Sequence, residues 1–444
     1  MHKVLYNSRN SRYKFPFGAI ESGAEFRITF PVSESLYPKK AYLFMRKWGS
    51  EFSESYEIPY HKQENGFSVY EGNFAKSEVG IWFYRFEVLT FNGDILFVGN
   101  DGTGQAFIGD SLPEWQLTVY AHSDNPPSFL DGGLIYHIFA DRFCRVEDGK
   151  AARFGRMKAW NDDVDIIDPE DCRNEKEPYT ASDFFGGNIK GIASKIPYFK
   201  KLGVTALYLS PITESVSNHR YDTADYLKID PLFGTEDEFK ALCEALKNEG
   251  ISVILDGVFN HTGSDSVYFN KFGHFGTNGA AQSKDSPYYK WYTFYDYPSD
   301  YHSWWGCTNV PTVRRDAHSF QDFICNQVIP KYLKLGAAAF RLDVVDELSI
   351  EFTKSVATAI KRVDKNALVI GEVWEDATVK ESYGEKRAYL LGGELDGVMN
   401  YPFRTAIIDF VTGIITADEF CNIILRIVEN YPKNALANSM TLLG

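Results

Sequence analysis

The sequence predicts an α/β protein: a (β/α)8 or TIM barrel, incomplete at its C-terminal end and preceded by an all-β sandwich. Three observations predict this fold. Short runs of alternating polarity, separated by turn residues, fill about the first 120 residues. Apolar strand-like runs then alternate with helical runs, as parallel strands joined by crossover helices do. No GxGxxG or GxxxxGK[ST] motif follows a strand, which weighs against a nucleotide-binding sheet.

The N-terminal part, residues 1–122, is predicted to form an antiparallel sandwich. Its strand-like runs are EFRITF, AYLFMRKW, GFSVYEGNF, GIWFYRFEVLTF, DILFVGN and WQLTVYAH. Turn segments such as QENG, NGD and DGTG separate these runs. The two prolines of AHSDNPPSFLDGG then indicate a linker, so the barrel is expected over residues 123–444.

The second part alternates strand and helix. Its strand-like runs are LIYHIF, VTALYLSP, ISVILDGV, AAFRLDVV, ALVIGEVW, GVMNYPF and MTLLG. The helical runs between them are GIASKIPYFKKLG, TEDEFKALCEALKNEG, FQDFICNQVIPKYLKLG and SIEFTKSVATAIKRVD. TEDEFKALCEALKNEG begins with acidic residues and ends in Gly, as capping and the helix dipole favour. Seven strand candidates favour a barrel over a doubly wound sheet.

Composition limits the function classes. A chain of 444 residues has room for two or three domains. The net charge of −14 argues against nucleic acid as a partner, because phosphate binding needs a basic surface. Aromatic residues reach 16%, which suits stacking on sugar rings, although cores and interfaces use aromatic side chains as well.

Location and redox state are also expectations from the sequence. No run of 18 apolar residues is present, so no membrane span is expected, and the N-terminus lacks the pattern of a signal peptide. The six cysteines show no metal-binding spacing, so free thiols in a reducing cytoplasm are expected. Cys144 and Cys172 lie in one long loop, and the sequence leaves their separation open.

Charged residues recur at the ends of the apolar runs. Asp256 ends ISVILD, Arg341 and Asp343 lie late in AAFRLDVV, and Glu372 ends ALVIGE. A single buried aspartate is more often structural, but three acids on three strand ends favour a site, because barrel enzymes carry catalytic residues there. Side chains two residues apart on a strand point the same way, so Arg341 and Asp343 should face the barrel mouth and neutralise each other.

Two carboxyl groups on neighbouring strands suit glycoside hydrolysis. Asp343 would attack the anomeric carbon, and Glu372 would protonate the leaving oxygen. Arg341 is expected to keep Asp343 ionised by lowering its pKa. Glu372 would have to hold a proton near neutrality in order to act as the acid.

Six segments, in order along the chain, resemble the α-amylase superfamily. Three resemble its first signature regions: DGVFNH (256–261), FRLD (340–343) and IGEVW (370–374). Three others resemble its neopullulanase, cyclomaltodextrinase and amylopullulanase branch: YHIFADRF (136–143), SNHRYDTADYLKIDPLFGT (217–235) and SWWGCTNVPTV (303–313). The resemblance covers nearly the whole chain, in outline before residue 134 and in detail after it.

The resemblance implies a role for each matching residue. Asp343 matches the nucleophile and Glu372 the general acid/base, while Arg341 matches the arginine that holds the nucleophile. His219, His261 and Tyr221 match contacts to the sugar in subsite −1, where Tyr221 would stack on the ring. Outside such motifs the two histidines would more often be loop residues, and Tyr221 a core aromatic.

The resemblance also implies roles for residues near the two candidate carboxyl groups. Trp374 and Glu347 match an aromatic and a carboxylate on the acceptor side, with a core aromatic and a helix N-terminal charge as their alternatives. Asp256 and Asn260 match residues that shape the loop after the third strand. Trp304 and Trp305 would either line the cleft or pack the inserted loop.

Two long segments follow barrel strands. Residues 259–318 resemble the small inserted domain of the superfamily, because they are too long for an ordinary loop. Residues 144–184 carry acidic clusters that would suit calcium, although solvated acidic loops are commoner. Asn260 matches the superfamily's calcium asparagine, but this branch often dispenses with that site, so no cofactor is expected to be required and the metal stays unassigned.

The resulting expectation is a retaining glycosidase acting on α-1,4 and, as an open alternative, α-1,6 bonds of maltodextrin, cyclodextrin or pullulan. An α-glucosidase, a transglycosylase and a catalytically dead glucan-binding fragment are the other candidates. Arg314 stands where this branch has an asparagine, which leaves substrate preference open. The N-terminal domain is expected to bind glucan or to form a homodimer, since in this branch it often covers a neighbour's active site.

The end of the sequence carries one more expectation. MTLLG (440–444) reads as the seventh barrel strand, and the superfamily's next signature is a His-Asp pair that supplies the third catalytic carboxylate. No His-Asp pair follows Glu372 in this sequence. The chain is therefore expected to be truncated before the fourth signature region and to be inactive or nearly so, with Asp376 or Glu394 as alternative acids.

Overall fold

The computed structural model describes residues 3–110, 112–122, 128–146, 151–164 and 181–442. The chain divides into two compact units. The first unit combines Met1–Pro126 with Val373–Gly444, and the second is Pro127–Glu372. Cys172 and most of the acidic residues considered for calcium lie outside the described residues.

Short strands follow one another through the N-terminal part of the first unit. They are β1 Lys14–Phe15, β2 Ile20–Glu21, β3 Glu25–Ser33, β4 Pro38–Lys47, β5 Ser53–Ile58, β6 Tyr60–Glu64, β7 Phe67–Ala75, β8 Gly80–Thr90, β9 Ile95–Asn100, β10 Ala106–Ile108 and β11 Trp115–Tyr120. One sheet has the order β1-β3-β7-β6, and the other has the order β10-β9-β8-β11-β2 with β4 between β8 and β5. The pairing is antiparallel except between β11 and β2. The predicted all-β sandwich is therefore confirmed.

One hydrophobic core joins the two sheets of this sandwich. Buried and partly buried residues alternate along β8, which places every second side chain in the core. Phe30 of β3 stacks on Phe86 of β8 with the ring centroids 4.3 Å apart. The buried hydroxyls of Tyr6 and Tyr84 are hydrogen-bonded at 2.8 Å, so neither phenol is left unsatisfied.

The second unit contains parallel strands with helices between them. Its strands are β12 Ile135–Ile138, β13 Arg156–Met157, β14 Asp183–Phe184, β15 Ala206–Leu209, β16 Thr213–Ser215, β17 Thr223–Ile229, β18 Ser252–Gly257, β19 Phe294–Asp296, β20 Asp300–Tyr301, β21 Ala339–Leu342 and β22 Leu368–Val373. Its α-helices are α1 Ile189–Ser194, α2 Ile196–Leu202, α3 Glu236–Asn248, α4 His318–Phe323, α5 Ile329–Lys334 and α6 Ile350–Val363. Strands β12, β15, β18, β21 and β22 pair in parallel and in chain order, as the predicted (β/α)8 barrel requires.

Two of the predicted helices are interrupted near prolines. GIASKIPYFKKLG forms α1 and α2 rather than one helix, because Pro197 has no N–H to continue the hydrogen bonds across Lys195. A π-helical turn, Ile324–Val328, separates α4 from α5 just before Pro330. The Arg362 guanidinium donates to the Cys325 carbonyl at 3.2 Å and so satisfies one acceptor of this turn. The helix predicted over residues 235–250 is α3, and Thr235 and Glu238 form its capping box.

The rest of the first unit follows Glu372. It contains β23 Glu381–Ser382, β24 Glu385–Lys386, β25 Gly397–Asn400, α7 Tyr401–Val411, α8 Ala417–Asn430 and α9 Lys433–Ala437. The strand predicted over MTLLG is reduced to a parallel bridge between Met440 and Met399, and residues 443–444 lie outside the described residues. Helix α8 contacts the sandwich, where Thr118 donates to the Asn430 carbonyl at 2.6 Å. In the described part of the chain, no helix is long and apolar enough to cross a membrane.

Candidate active site

One guanidinium binds three carboxylates at the carboxyl ends of the parallel strands. Nη1 of Arg341 lies 2.8 Å from Asp256 Oδ1 and 2.7 Å from Asp343 Oδ1. Nη2 of Arg341 lies 2.9 Å from Glu372 Oε2. All four side chains are at most 10% exposed. Arg341 and Asp343 therefore point together, as predicted, and Asp256 and Glu372 from the two neighbouring strands join them.

Asp256 orients this group without facing solvent. Its Oδ2 accepts hydrogen bonds from the Tyr208 hydroxyl at 2.5 Å and from the Tyr221 hydroxyl at 2.9 Å. Burial raises the pKa of both phenols, and the Asp256 charge raises it further, so both hydroxyls remain donors. With both oxygens occupied, Asp256 holds the positions of Arg341 and Tyr221. Its expected role in shaping the loop after the third strand stays a prediction.

The charge of Asp343 is set by two opposing effects. Burial raises the pKa of the Asp343 carboxyl to about 7, and the charges of Asp256 and Glu372 raise it as well. Arg341 lowers it, but by less than burial raises it. The expected direction of the arginine's effect is right, whereas the expected net lowering is wrong, because the burial of the carboxyl raises its pKa by more than the guanidinium lowers it.

Two neutral histidines lie on the loops of this unit. Burial lowers the pKa of His261 to about 4 and lowers that of His219 as well. Nδ1 of His219 accepts the backbone N–H of Tyr221 at 3.0 Å, so the proton of the neutral ring is on Nε2. The His261 ring stacks on Trp304 with the centroids 5.4 Å apart. In His219 the Nε2–H is therefore the donor, and a neutral imidazole N–H suits recognition of a hydroxyl group.

Glu347, Trp374 and Arg314 are further residues that the sequence singles out. Glu347 ends a 3-10 turn, Val345–Glu347, and precedes Ser349, the N-cap of α6, so it lies outside that helix. Trp374 belongs to the first unit and is 48% exposed. Arg314, at the position where the resembling branch has an asparagine, pairs with exposed Asp316 at 2.7 Å.

The region around Asn260 provides a test of the calcium expectation. Asn260 is buried, and its amide nitrogen lies 3.4 Å from Nδ1 of His261. Within the described ranges, no group of three or more His, Cys, Asp or Glu side chains is arranged to hold a metal ion. No step proposed below uses a metal.

Sequence reasoning missed two residues next to Asp256. Tyr208 was part of an apolar strand pattern, and only its hydroxyl contact gives it a place in the site. His137 lies on β12, the neighbouring strand, and its ring stacks on Tyr208 with the centroids 4.6 Å apart. His137 of β12 pairs with Tyr208 of β15, and Tyr208 pairs with Ile254 of β18, two residues before Asp256. Side chains two residues apart on a strand share a face, so this register, which the sequence does not show, brings both rings to the side of Asp256.

Comparison with known proteins agrees with this geometry. Residues 137–440 match the family model of the α-amylase catalytic domain. Amylopullulanase of Thermoanaerobacter thermohydrosulfuricus is 32% identical over 508 residues, which cover 99% of this chain and 32% of that protein. Neopullulanase 2 of Thermoactinomyces vulgaris is 31% identical over 328 residues, covering 71% of this chain and 50% of that protein.

A solved structure shows the same fold. The ligand-free cyclic α-maltosyl-(1→6)-maltose hydrolase of Arthrobacter globiformis aligns with a TM-score of 0.59 and 26% identity, covering 72% of this chain and 66% of that one. The chain spans about a third of the amylopullulanase above and half of the neopullulanase. The family match includes β15, β18, β21 and β22. It also includes every residue of the Arg341 group, which consists of Arg341, Asp256, Asp343 and Glu372. The chain belongs to the α-amylase family.

Proposed function

We propose that this chain carries the catalytic centre of a retaining glycoside hydrolase that cleaves α-1,4 bonds of maltodextrin, cyclodextrin or pullulan, with α-1,6 bonds as further targets. The observation that carries the proposal is that adjacent nitrogens of Arg341 bind Asp343 at 2.7 Å and Glu372 at 2.9 Å. A retaining mechanism needs its two carboxyl groups about 5–5.5 Å apart, and this shared guanidinium supports such a spacing.

In the proposed reaction, the ionised carboxylate of Asp343 attacks the anomeric carbon while Glu372 gives its proton to the glycosidic oxygen. The bond to the leaving sugar breaks, and the remaining sugar is held as an ester of Asp343. Glu372 then takes a proton from water, which attacks the same carbon and releases the sugar with its original configuration. Tyr221, His219 and His261 would hold the ring that is transferred.

The relatives support the choice of substrate. Proteins named amylopullulanase, neopullulanase and cyclomaltodextrinase are 31–35% identical to this chain. Trp374 and Glu347 are proposed to contact the acceptor sugars, and Asn260 to hold the loop that carries His261. The exposed position of Arg314 makes this arginine a proposed determinant of bond preference.

The test combines stereochemistry with two variants. The full chain would be incubated with maltotriose, cyclodextrin and pullulan, and the first anomer released would be followed by proton NMR. The α-anomer should appear first, and Asp343→Asn and Glu372→Gln should each lower kcat by at least about 100-fold. Release of the β-anomer first, or full activity in Asp343→Asn, would reject the retaining assignment. Binding of maltotriose without turnover would instead support a glucan-binding fragment.

The sandwich is proposed to be a glucan-binding module. Tyr37 and Phe91 are 62% and 71% exposed, and the Phe91 N–H donates to the Tyr37 carbonyl at 2.8 Å. The backbones of two exposed aromatic residues are thus held side by side, which supports stacking on the apolar faces of sugar rings.

The proposal also includes an oligomeric state and a cellular location for the protein. A homodimer formed through the N-terminal domain is proposed, and light scattering of the full chain would test it. A cytoplasmic location is supported by the free thiols of the cysteines in the described ranges, namely Cys144, Cys243, Cys307, Cys325 and Cys421.

A further inference from the structure

The residue after Asp343 has an unusual backbone. Val344 has φ 38° and ψ 54°, in the left-handed region that β-branched side chains rarely adopt. Among the described non-glycine residues with positive φ, Val344 is the one with a β-branched side chain. Such strain persists only where surrounding contacts hold it, and it is common at functional sites.

The contact that holds this conformation reaches the second candidate carboxyl. The backbone N–H of Val344 donates to Oε2 of Glu372 at 2.8 Å. At the preceding peptide bond, the N–H of Asp343 donates to the Gly257 carbonyl at 3.1 Å. The main chain at residues 343–344 therefore connects the positions of both carboxyl groups.

The two oxygens of Glu372 are made unequal by this contact. Oε2 accepts both the Val344 N–H and Nη2 of Arg341, which lies 2.9 Å away. A proton on Oε2 would point toward an N–H group and a guanidinium, both of which are donors. The proton that Glu372 donates therefore belongs on Oε1.

We propose that Val344 is a positioning residue for acid catalysis: its left-handed backbone directs its N–H to Oε2 of Glu372, so that Oε1 exchanges the proton with the glycosidic oxygen. This inference rests on the proposed hydrolase function. The side chain of Val344 has no part in it, so the role belongs to the backbone N–H.

A backbone change isolates that N–H. Val344 would be replaced by its α-hydroxy acid in the full chain, which exchanges the N–H for an oxygen and keeps the side chain. The matched control places the α-hydroxy analogue of leucine at Leu348, whose N–H donates to the Val345 carbonyl in the same loop at 3.1 Å. Val344→Gly is the second control, because it keeps the N–H and accepts a positive φ.

Leaving-group dependence separates positioning from general structural damage. Maltotriose needs protonation of its leaving oxygen, whereas the fluoride of α-maltosyl fluoride leaves with little acid assistance. The Val344 ester should lower kcat/KM for maltotriose by about 10- to 100-fold and leave kcat/KM for the fluoride nearly unchanged. The Leu348 ester and Val344→Gly should leave the ratio of the two values at its wild-type level. An equal loss on both substrates would overturn the proposal.

A second measurement does not depend on turnover. The Val344 amide resonance of the isotope-labelled full chain would be compared between wild type and Glu372→Ala. It should move upfield in the variant, because the N–H loses the carboxyl oxygen that accepts it, while the Leu348 amide should stay in place. An unmoved Val344 resonance would overturn the inference. If the wild type cleaves neither substrate, the proposed function fails, and this measurement still decides whether Val344 holds Glu372.

Discussion

At the scale of single residues, the site depends on one cation serving three acids. Arg341 is about 5% exposed and contacts Asp256, Asp343 and Glu372 at 2.7–2.9 Å. A buried charge is tolerated only when it is paired and hydrogen-bonded. Here one guanidinium contacts three carboxyl groups, so it cannot neutralise all three of them. Burial raises the pKa of the Asp343 carboxyl in this group to about 7.

This raised pKa predicts how stability changes with pH. The ordinary pKa is 3.8 and the folded value is about 7, so between these values the folded chain binds a proton at Asp343 that the unfolded chain releases. The stabilising contribution is therefore complete below about pH 4 and is lost as the pH rises through 7. Asp343→Asn should remove this dependence and gain a few kcal/mol relative to wild type between pH 5 and pH 8.

Urea unfolding of both proteins across this pH range would measure the effect. Asp316→Asn is the matched control, because Asp316 is exposed and Arg314 lowers its pKa, so its carboxyl is already ionised throughout the range. The control should follow the wild-type curve. Parallel curves for Asp343→Asn and wild type would show that Asp343 keeps an ordinary pKa in the folded chain.

At the scale of elements, helix α8 is held to the sandwich by polar contacts in its middle and at its C-terminal end. Arg9 Nε donates to Glu429 at 3.0 Å, and its Nη1 donates to Asn422 at 2.6 Å. Arg9 and Glu429 are 11% and 8% exposed, so this pair is shielded from water. The N-terminal strands and the segment after Glu372 therefore form one compact unit although they are distant in sequence.

Removing Arg9 should loosen α8. Arg9→Met leaves the buried Glu429 carboxylate without its guanidinium, and breaking such a pair costs about 3 kcal/mol or more. Hydrogen exchange in Ala417–Asn430 should accelerate accordingly. Arg12→Met is the matched control, because Arg12 is 67% exposed and lies 3.9 Å from Glu64. Unchanged protection of α8 in Arg9→Met would mean that apolar packing alone holds the helix.

At the scale of the whole molecule, sugar-binding groups are proposed in both compact units. The second unit holds the Arg341 group, and the first exposes Tyr37 and Phe91 on the sandwich. Tyr37→Ala with Phe91→Ala should weaken binding of the full chain to a long maltodextrin by about 30-fold, since each of the two lost stacking contacts removes about 1 kcal/mol. Hydrolysis of maltotriose should not change.

Calorimetry with maltoheptaose would measure this binding. Phe52→Ala is the matched control, because Phe52 is 75% exposed on the same sandwich and precedes β5 rather than joining the Tyr37–Phe91 pair. Equal affinity in the double variant and in Phe52→Ala would reject the sandwich as a glucan-binding module at this position.

The order of strands and the location of the candidate site could be predicted from the sequence. Alternating polarity marked the sandwich strands, and apolar runs that end in charged residues marked β18, β21 and β22. These signals are local, because side-chain direction alternates along any strand. The common direction of Arg341 and Asp343 followed from that periodicity alone, and their 2.7 Å contact agrees with it.

Other properties were decided by the tertiary structure, because they depend on contacts between distant segments. The sequence placed Arg341 beside Asp343, but only the packing of three strands gives this arginine two further carboxylates. The burial that comes with this packing raises the pKa of Asp343 instead of lowering it. The strained Val344 backbone is a similar case, since its N–H partner, Glu372, lies 28 residues further along the chain. Residue type and periodicity are local properties of a chain, whereas burial and the sharing of charges arise only after it folds.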